Sequence, residues 1–325
     1  MLELFKKNTF FSILLLIPYA IVLHASAWFS QITYKHSENC WIYNQIFKNQ
    51  WLSYSTETMI AIAMITIQAI IIGRMVSSYK MNSEGQLFGG LFFILFCGFH
   101  PSTLSLNPVL FANLFFTVGL YQLFGIYLKK TATTQLFNFG FLVGLASLFY
   151  TPYYIYLLLG VIGIVILRGS KPKEFLQIIG GFINIYFLAY VILYIFNLHL
   201  EFWDQQITGF FSPFIFSFKF SSYGWVAFTL LLLFLILILF QYPYFQFKRT
   251  MMVQKQFDIL FWCLLVGLWS TLFLKIEQVN HLMVLFTPLA LLTGLLLTKL
   301  KNPLIQETIH LFLVIVSLFL QFQNW

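Results

Sequence analysis

Long apolar stretches alternate with short polar ones along the whole chain. A helix of about 20 apolar residues spans the hydrocarbon core of a bilayer. Candidate spans lie at residues 9–29, 57–78, 86–104, 106–128, 136–150, 152–168, 175–198, 222–246, 257–275, 280–299 and 304–323. The pattern predicts an all-α, polytopic membrane helical bundle in a single integral membrane domain over 1–325, with about 11 transmembrane helices (roughly nine to eleven). The count depends on residues 136–168, which form either two thin spans or a broken hairpin.

Composition excludes an ordinary soluble domain. Hydrophobic residues make up 60% of the chain and charged residues 9%, whereas soluble domains carry about 25% charged residues. The three cysteines, Cys40, Cys97 and Cys263, have no metal-ligand spacing and predict no disulfide framework. The chain also lacks Walker, GxGxxG, HExxH and GxSxG motifs, so the sequence indicates no metal and leaves any cofactor unknown.

Basic residues sort to one side of the predicted spans. With a cytoplasmic N-terminus, most of the 18 lysines and arginines fall at inner ends, and only Lys35, Lys48, Lys219 and Lys275 fall outside. The positive-inside rule predicts this split and therefore a cytoplasmic N-terminus. Lys6-Lys7 and the following apolar run imitate a signal peptide, but a retained first helix is expected in a chain with so many later spans. The net charge of +8 then marks loops beside anionic lipids and predicts no nucleic-acid partner.

Two long outer loops are predicted, at residues 30–56 and 199–221. In the first, Ile42, Tyr43, Ile46, Phe47 and Trp51 recur at near-helical spacing. This predicts a short amphipathic helix on the outer bilayer surface, with its aromatic residues as interfacial anchors. The second loop is strongly aromatic and is expected to dip into the interface.

The segment before span 280–299 carries the most suggestive pair of polar residues. Glu277 and His281 are four residues apart, on one face if the helix extends that far. They are candidates for acid/base catalysis, because histidine titrates near neutral pH and a carboxylate can orient it. Alternatively, Glu277 pairs with Lys275 and His281 only starts a helix. Pro288, in mid-span, is expected to free a backbone carbonyl and kink the helix.

The other candidate residues also lie at the predicted outer side. Glu38 is a candidate catalytic base, and the candidate substrate-binding residues are His36, His100, Glu201 and Asp204. The alternative is that they are solvated loop residues, or in the case of His100 an interfacial histidine at a turn. At the inner side, His310 is either a proton relay or, as we favour, the partner in an interhelical hydrogen bond.

Three segments carry a resemblance to a known family. They are Asn107-Pro-Val-Leu-Phe-Ala-Asn113, Phe139-Gly-Phe-Leu-Val-Gly144-Leu-Ala-Ser-Leu-Phe-Tyr150 with Ile166-Leu-Arg168, and Glu277 to Lys301. They resemble a family of polytopic inner-membrane proteins from Bacteroidota that has no established activity. The resemblance implies a multi-pass protein of the bacterial inner (cytoplasmic) membrane.

The layout is also similar to that of C-type glycosyltransferases, which take sugars from polyprenyl-phosphate donors. The shared features are the inside N-terminus, a long first outer loop with an acidic residue and an interfacial helix, short spans and Gly144-Leu-Ala146. The resemblance implies that Glu38 is the catalytic carboxylate. The chain departs from the pattern because it has no paired acidic residues there, which argues against metal-assisted catalysis.

Three functional hypotheses follow. The first is a C-type-like glycosyltransferase that acts at the periplasmic face on a lipid-linked substrate, with Glu277 and His281 near the donor phosphate. The second is a non-catalytic scaffold or assembly subunit of an envelope complex, which predicts a stable protein partner. The third is a transporter or flippase, although the near absence of charges deep in the spans argues against an ion-coupled pump.

Overall fold

The structure, a computed structural model, describes residues 2–29, 40–47, 52–82, 86–169, 171–207, 217–218, 222–271, 275–276, 279–300 and 302–322. The α-helices are α1 (Phe10–Leu14), α2 (Leu16–Leu23), α3 (Ala25–Phe29), α4 (Trp41–Phe47), α5 (Tyr54–Ser78), α6 (Phe88–Cys97), α7 (Pro101–Leu104), α8 (Pro108–Phe124), α9 (Thr133–Phe149), α10 (Leu157–Arg168), α11 (Pro172–Ile195), α12 (His199–Phe202), α13 (Ser222–Phe240), α14 (Tyr242–Gln246), α15 (Met251–Thr271), α16 (Phe286–Leu297) and α17 (Pro303–Phe322). Short 3-10 helices cover Leu2–Phe5, Thr151–Tyr156 and Val279–Leu285, and a π-helical turn covers Trp203–Ile207. Strands β1 (Ser217–Phe218) and β2 (Lys275–Ile276) pair in parallel.

The helices confirm the prediction of an all-helical membrane bundle. Within the described residues, six helical segments are long and apolar enough to cross a membrane: Tyr54–Ser78, Thr151–Arg168, Pro172–Ile195, Met251–Thr271, Asn280–Leu297 and Pro303–Phe322. Shorter apolar helices coincide with the other five predicted spans. Residues 136–168 form two helical segments, α9 and Thr151–Arg168, which meet at the single extended residue Tyr150. The number of crossings and the orientation stay predictions.

The segment from Asn280 to Leu297 is the centre of the bundle, because 94% of it is buried. It begins as a 3-10 helix and continues as α16 from Phe286. Pro288 has no N–H to donate to the carbonyl of Val284, four residues earlier. The hydroxyl of Tyr156 donates to that carbonyl instead, at 3.1 Å. The predicted release of a carbonyl at Pro288 is therefore confirmed, and a neighbouring helix satisfies the released group.

Small residues allow two helix pairs to approach closely. Where α9 crosses α11, a Cβ on Gly140 would overlap the backbone of Ile178, and one on Gly181 would overlap the carbonyl of Phe137. Where α6 crosses α16, Gly294 lies directly against the backbone of Gly89. Such contacts gain dispersion energy, which drives helix association when both helices are already in an apolar solvent.

Side-chain hydrogen bonds hold the first and last helices together. The Tyr19 hydroxyl and His310 Nε2 are hydrogen-bonded at 2.9 Å, which confirms the interhelical bond favoured for His310. Near the other end of α17, Gln321 Nε2 donates to the carbonyls of Leu23 and Gly98, at 2.8 and 2.6 Å. These bonds fix α17 although most of its surface is exposed.

A buried ion pair closes the turn between α10 and α11. Arg168 and Glu174 are 2.8 Å apart, with side-chain exposures of 7% and 9%. The Arg168 guanidinium also donates to the carbonyls of Ile126 and Lys129, just after α8. The pair therefore links three helices at the end of the bundle that is predicted to be cytoplasmic.

The first predicted outer loop contains a helix, α4, whose aromatic residues pack against other helices. In α4, Trp41 and Tyr43 are buried to 3% and 4% exposure. The Tyr43 hydroxyl donates to the carbonyl of Leu106 at 2.9 Å, and Trp41 contacts the ring of Phe202. These two side chains therefore lie against the start of α8 and against α12, whereas Ile46 is exposed. The position of this helix on the outer bilayer surface stays a prediction, and Trp51 lies outside the described residues.

Replacing either of two neighbouring glycines of α11 by alanine is expected to have different effects on stability. Gly181→Ala should destabilise the protein by about 1–3 kcal/mol, because its Cβ has no room against Phe137. Gly180→Ala meets nothing within 4 Å, so it should be neutral or stabilise the helix by up to about 1 kcal/mol. Unfolding of the two purified variants in the same detergent checks this. Equal stabilities would contradict the close α9–α11 crossing.

Removal of the Arg168 charge is expected to be costly. Arg168→Met leaves Glu174 buried without its cation, and breaking such a pair costs about 3–5 kcal/mol. Lys173→Met, at an exposed position of the same turn, is the matched control and should change stability little. Thermal unfolding of both variants measures the difference. A wild-type melting temperature for Arg168→Met would show that the pair carries no stability.

Candidate functional site

Tyr150 and His281 form the centre of the candidate site. Tyr150 is the extended residue between α9 and the 3-10 helix Thr151–Tyr156, and its ring is fully buried. Its hydroxyl and His281 Nδ1 are hydrogen-bonded to each other. His281 is 6% exposed. The turn at Tyr150 thus brings one end of α9 against the first turn of the central helix, and we call this region the His281 end.

A buried polar network continues from this region into the bundle. Asn113 on α8 is its hub: its amide nitrogen donates to Gln68 at 3.1 Å, and its amide oxygen accepts from Tyr153 at 3.2 Å and Thr287 at 3.1 Å. Thr117 and Thr287 are hydrogen-bonded at 3.0 Å. All of these side chains are buried. The network joins α5, α8 and α16 to the 3-10 helix that contains Tyr153.

Asn280, next to His281, contrasts with this satisfied network. Its side chain is completely buried, and neither amide atom has a hydrogen-bond partner among the residues that the structure describes. A buried polar group without a partner costs about 1–3 kcal/mol. The amide therefore offers one donor group and one acceptor to a polar ligand or to water at the His281 end.

The second predicted outer loop meets the His281 end through described residues. Gln206, after α12, donates to the Ser147 carbonyl at 2.8 Å and to the Thr151 hydroxyl at 3.1 Å. Thr151 is the neighbour of Tyr150 in the chain. Strand β1 of the second loop pairs with β2, just before Glu277. Both contacts bring the second loop to the segment that contains His281.

The described candidates differ in their surroundings. Glu201 and Asp204 are exposed on the segment that Gln206 anchors. His100 is the N-cap of α7, where its Nδ1 accepts from the backbone N–H of Ser102 at 3.1 Å. Its ring therefore acts as a helix cap in the structure.

The remaining candidates, Glu38, His36 and Glu277, lie outside the described residues. The described backbone is extended at Lys275–Ile276 and forms a 3-10 helix over Val279–Leu285. Because Glu277 lies between these two described segments, its predicted position on one helical face with His281 stays a prediction. A catalytic role of this pair stays a prediction that rests on proximity along the chain.

An apolar groove runs beside the His281 end. It has a volume of about 490 Å³ and lies between α13, α15 and the central helix. Leu282, Leu285 and Phe286, which follow His281, form one wall, and Leu231, Leu232 and Leu235 form the opposite wall. The volume is in the range of about 300–1,000 Å³ that small-molecule sites occupy.

Among the residues that the structure describes, no group of three or more His, Cys, Asp or Glu side chains comes together. The cysteines Cys40, Cys97 and Cys263 are buried.

Sequence reasoning missed Asn113, Gln68, Asn280 and Tyr150. An available signal was the presence of amide side chains inside apolar spans, because such groups are costly in a membrane unless they bind a partner. Which of these amides form hydrogen bonds was not predictable, because the partners of Asn113 lie between 40 and 174 residues away in the chain.

Replacing each of two fully buried asparagines by leucine is expected to distinguish a structural polar group from a functional one by its effect on stability. Asn113→Leu should destabilise the protein by about 1–3 kcal/mol, because Gln68, Tyr153 and Thr287 lose a partner. Asn280→Leu should be neutral or stabilising, because it removes two buried groups that lack partners. Unfolding of both variants in detergent checks this. Strong destabilisation by Asn280→Leu alone would show that this amide has a structural role.

Comparisons with protein-family models, with curated proteins and with solved structures found no match for this chain.

Proposed function

We propose that the protein acts on a lipid-linked substrate, a polyprenyl-phosphate sugar, at the His281 end and at the periplasmic face of the bacterial inner membrane. The reaction is transfer of the sugar to an acceptor, as in C-type glycosyltransferases. The observation that carries the proposal is the apolar groove, because Leu282 in its wall directly follows the buried polar residues Asn280 and His281 along the chain.

The groove is suited to a hydrocarbon chain. Leucine, phenylalanine and tryptophan side chains line most of it. Leu232 and Trp269, on opposite sides, are 40% and 45% exposed, so the groove is accessible laterally. A prenyl chain can therefore enter from the bilayer and remain in an apolar environment.

The polar groups beside the groove are suited to a phosphate-linked sugar. The Asn280 amide supplies a donor for a phosphate oxygen and an acceptor for a sugar hydroxyl. His281, held by Tyr150, adds an imidazole to the same turn of helix. A headgroup that carries both phosphate oxygens and hydroxyls can form hydrogen bonds with the Asn280 amide and the His281 imidazole, whereas a hydrocarbon cannot.

Glu38 is the proposed general base. The chain reaches Cys40, which is fully buried, two residues after Glu38, and α4 follows at once. In the reaction, the Glu38 carboxylate takes the proton of an acceptor hydroxyl. The oxygen of that hydroxyl forms a bond to the anomeric carbon of the sugar. The bond from that carbon to the phosphate oxygen breaks, and polyprenyl phosphate leaves with the electron pair.

Filling the groove is expected to weaken binding of a polyprenyl phosphate. Leu232→Trp places a large ring in the groove and should lower the affinity for undecaprenyl phosphate at least tenfold in native mass spectrometry. Leu233→Trp is the matched control, because Leu233 is also exposed and does not contribute to the groove wall. Equal affinities of both variants and the wild type would refute the lipid groove.

Glycan analysis of producing strains tests the catalytic part separately. Glu38→Gln and His281→Ala should abolish or strongly reduce the associated glycan, whereas Leu233→Trp should leave it unchanged. Wild-type glycans in the Glu38→Gln and His281→Ala strains would overturn the glycosyltransferase reading even if the groove binds lipid.

A scaffold subunit is the second candidate, and the exposure of α11 favours it. Only 11% of the apolar window of this helix is buried. A helix of a partner protein can cover such a face, although lipid also covers it. This candidate requires a partner that co-purifies in stable proportion and dissociates when apolar residues of α11, such as Ile183 and Phe187, are replaced.

A further inference from the structure

A second crevice lies in the wall of the bundle and contains an acidic residue. It has a volume of about 580 Å³ and lies between α10, α14, the end of α13 and α15. Asp258 on α15 contributes a carboxylate to it, inside the apolar segment Met251–Thr271. An ionisable group within a membrane segment is costly and usually marks a functional site.

Two hydrogen bonds fix the carboxylate of Asp258. Its Oδ1 accepts from the Tyr242 hydroxyl at 2.8 Å and from Gln246 Nε2 at 2.6 Å. Gln246 is held in turn by Gln254, whose Nε2 donates to the Gln246 carbonyl at 2.7 Å. The arrangement therefore holds the carboxylate in a defined position.

No cation of the described chain pairs with this carboxylate. The described ion pairs are Lys6 with Glu3 and Arg168 with Glu174. The lysines on nearby elements lie over aromatic rings instead: Lys255 over Tyr127, and Lys299 over Tyr244. The missing counter-charge is the observation that points to a ligand, since a carboxylate in an apolar segment is normally paired.

The crevice surrounds this carboxylate with aromatic and aliphatic side chains. Tyr242, Phe261 and Trp262 supply ring faces, which attract cations, and Leu239 and Leu265 supply apolar surface. Tyr242, Trp262 and Leu265 are between 41% and 46% exposed, so the crevice is accessible from the bilayer. The occupant must combine a cationic head with a hydrocarbon tail.

We infer that the crevice binds an aminophospholipid, with its primary ammonium at Asp258 and its acyl chain along Leu239 and Leu265. This site is independent of the proposed glycosyltransferase reaction, because its residues are separate from the groove and from His281.

Native mass spectrometry of delipidated protein in detergent tests the inference with lipids of identical acyl chains. The wild type should bind phosphatidylethanolamine at least tenfold more tightly than phosphatidylglycerol, with phosphatidylcholine between them because its ammonium cannot donate a hydrogen bond. Asp258→Asn, which keeps the shape and an oxygen acceptor, should lower the affinity for phosphatidylethanolamine to that for phosphatidylglycerol. Glu3→Gln, at a carboxylate that is 75% exposed, is the control and should retain the preference.

Two results would overturn the inference. Equal binding of the ethanolamine and glycerol lipids by the wild type would show that no ammonium is recognised. Retention of the preference in a folded Asp258→Asn variant would place the recognition elsewhere. If Asp258→Asn does not fold, Leu265→Trp, which fills the crevice from an exposed position, should remove the preference, and its retention there would equally refute the site.

Discussion

The hydrogen bond from Tyr156 to the Val284 carbonyl is the interaction on which the arrangement of the bundle depends. In a bilayer, a carbonyl that a proline releases has no water to bind, and leaving it without a partner costs several kcal/mol. The bond fixes the Thr151–Tyr156 helix against the start of the central segment. Because Tyr150 immediately precedes that helix, the same contact places its hydroxyl at His281. A constraint of the backbone thereby positions the candidate site.

The Asn113 network extends this attachment through the interior. Its members come from α5, α8, α16 and the Thr151–Tyr156 helix, so four elements share one set of hydrogen bonds. Burial of apolar area does not hold helices together in lipid as it does in water, and close packing with hydrogen bonds takes its place. The glycines at the α9–α11 and α6–α16 crossings supply the packing component. The part of the protein that carries the candidate site is thus held by both hydrogen bonds and close helix packing.

Sequence patterns predicted the helical bundle well, because apolar segment length is a local property. All eleven predicted spans coincide with apolar helical segments, although only six described ones have full length. The effect of Pro288 was also predictable, since it follows from the absence of one N–H. The burial of Trp41 and Tyr43 in α4 was not, because helical periodicity does not distinguish a protein surface from a lipid surface. The partners of Asn113 and Tyr150 were beyond prediction for a related reason: they depend on which distant helices become neighbours.

Hydrogen bonding separates two kinds of polar residue in this protein. Asn113 and Gln68 are buried and bonded to each other, so folding alone accounts for them. Asn280 is equally buried but has no partner among the described residues, and Asp258 is hydrogen-bonded but lacks a counter-charge there. Each of the latter two lies in or close to a cavity that opens towards lipid. Since an uncompensated polar group in a membrane reduces stability, its presence beside such a cavity is best explained by a ligand that restores the missing interaction. The same criterion supports both proposals, a phosphate-linked headgroup at the His281 end and an ammonium headgroup at Asp258.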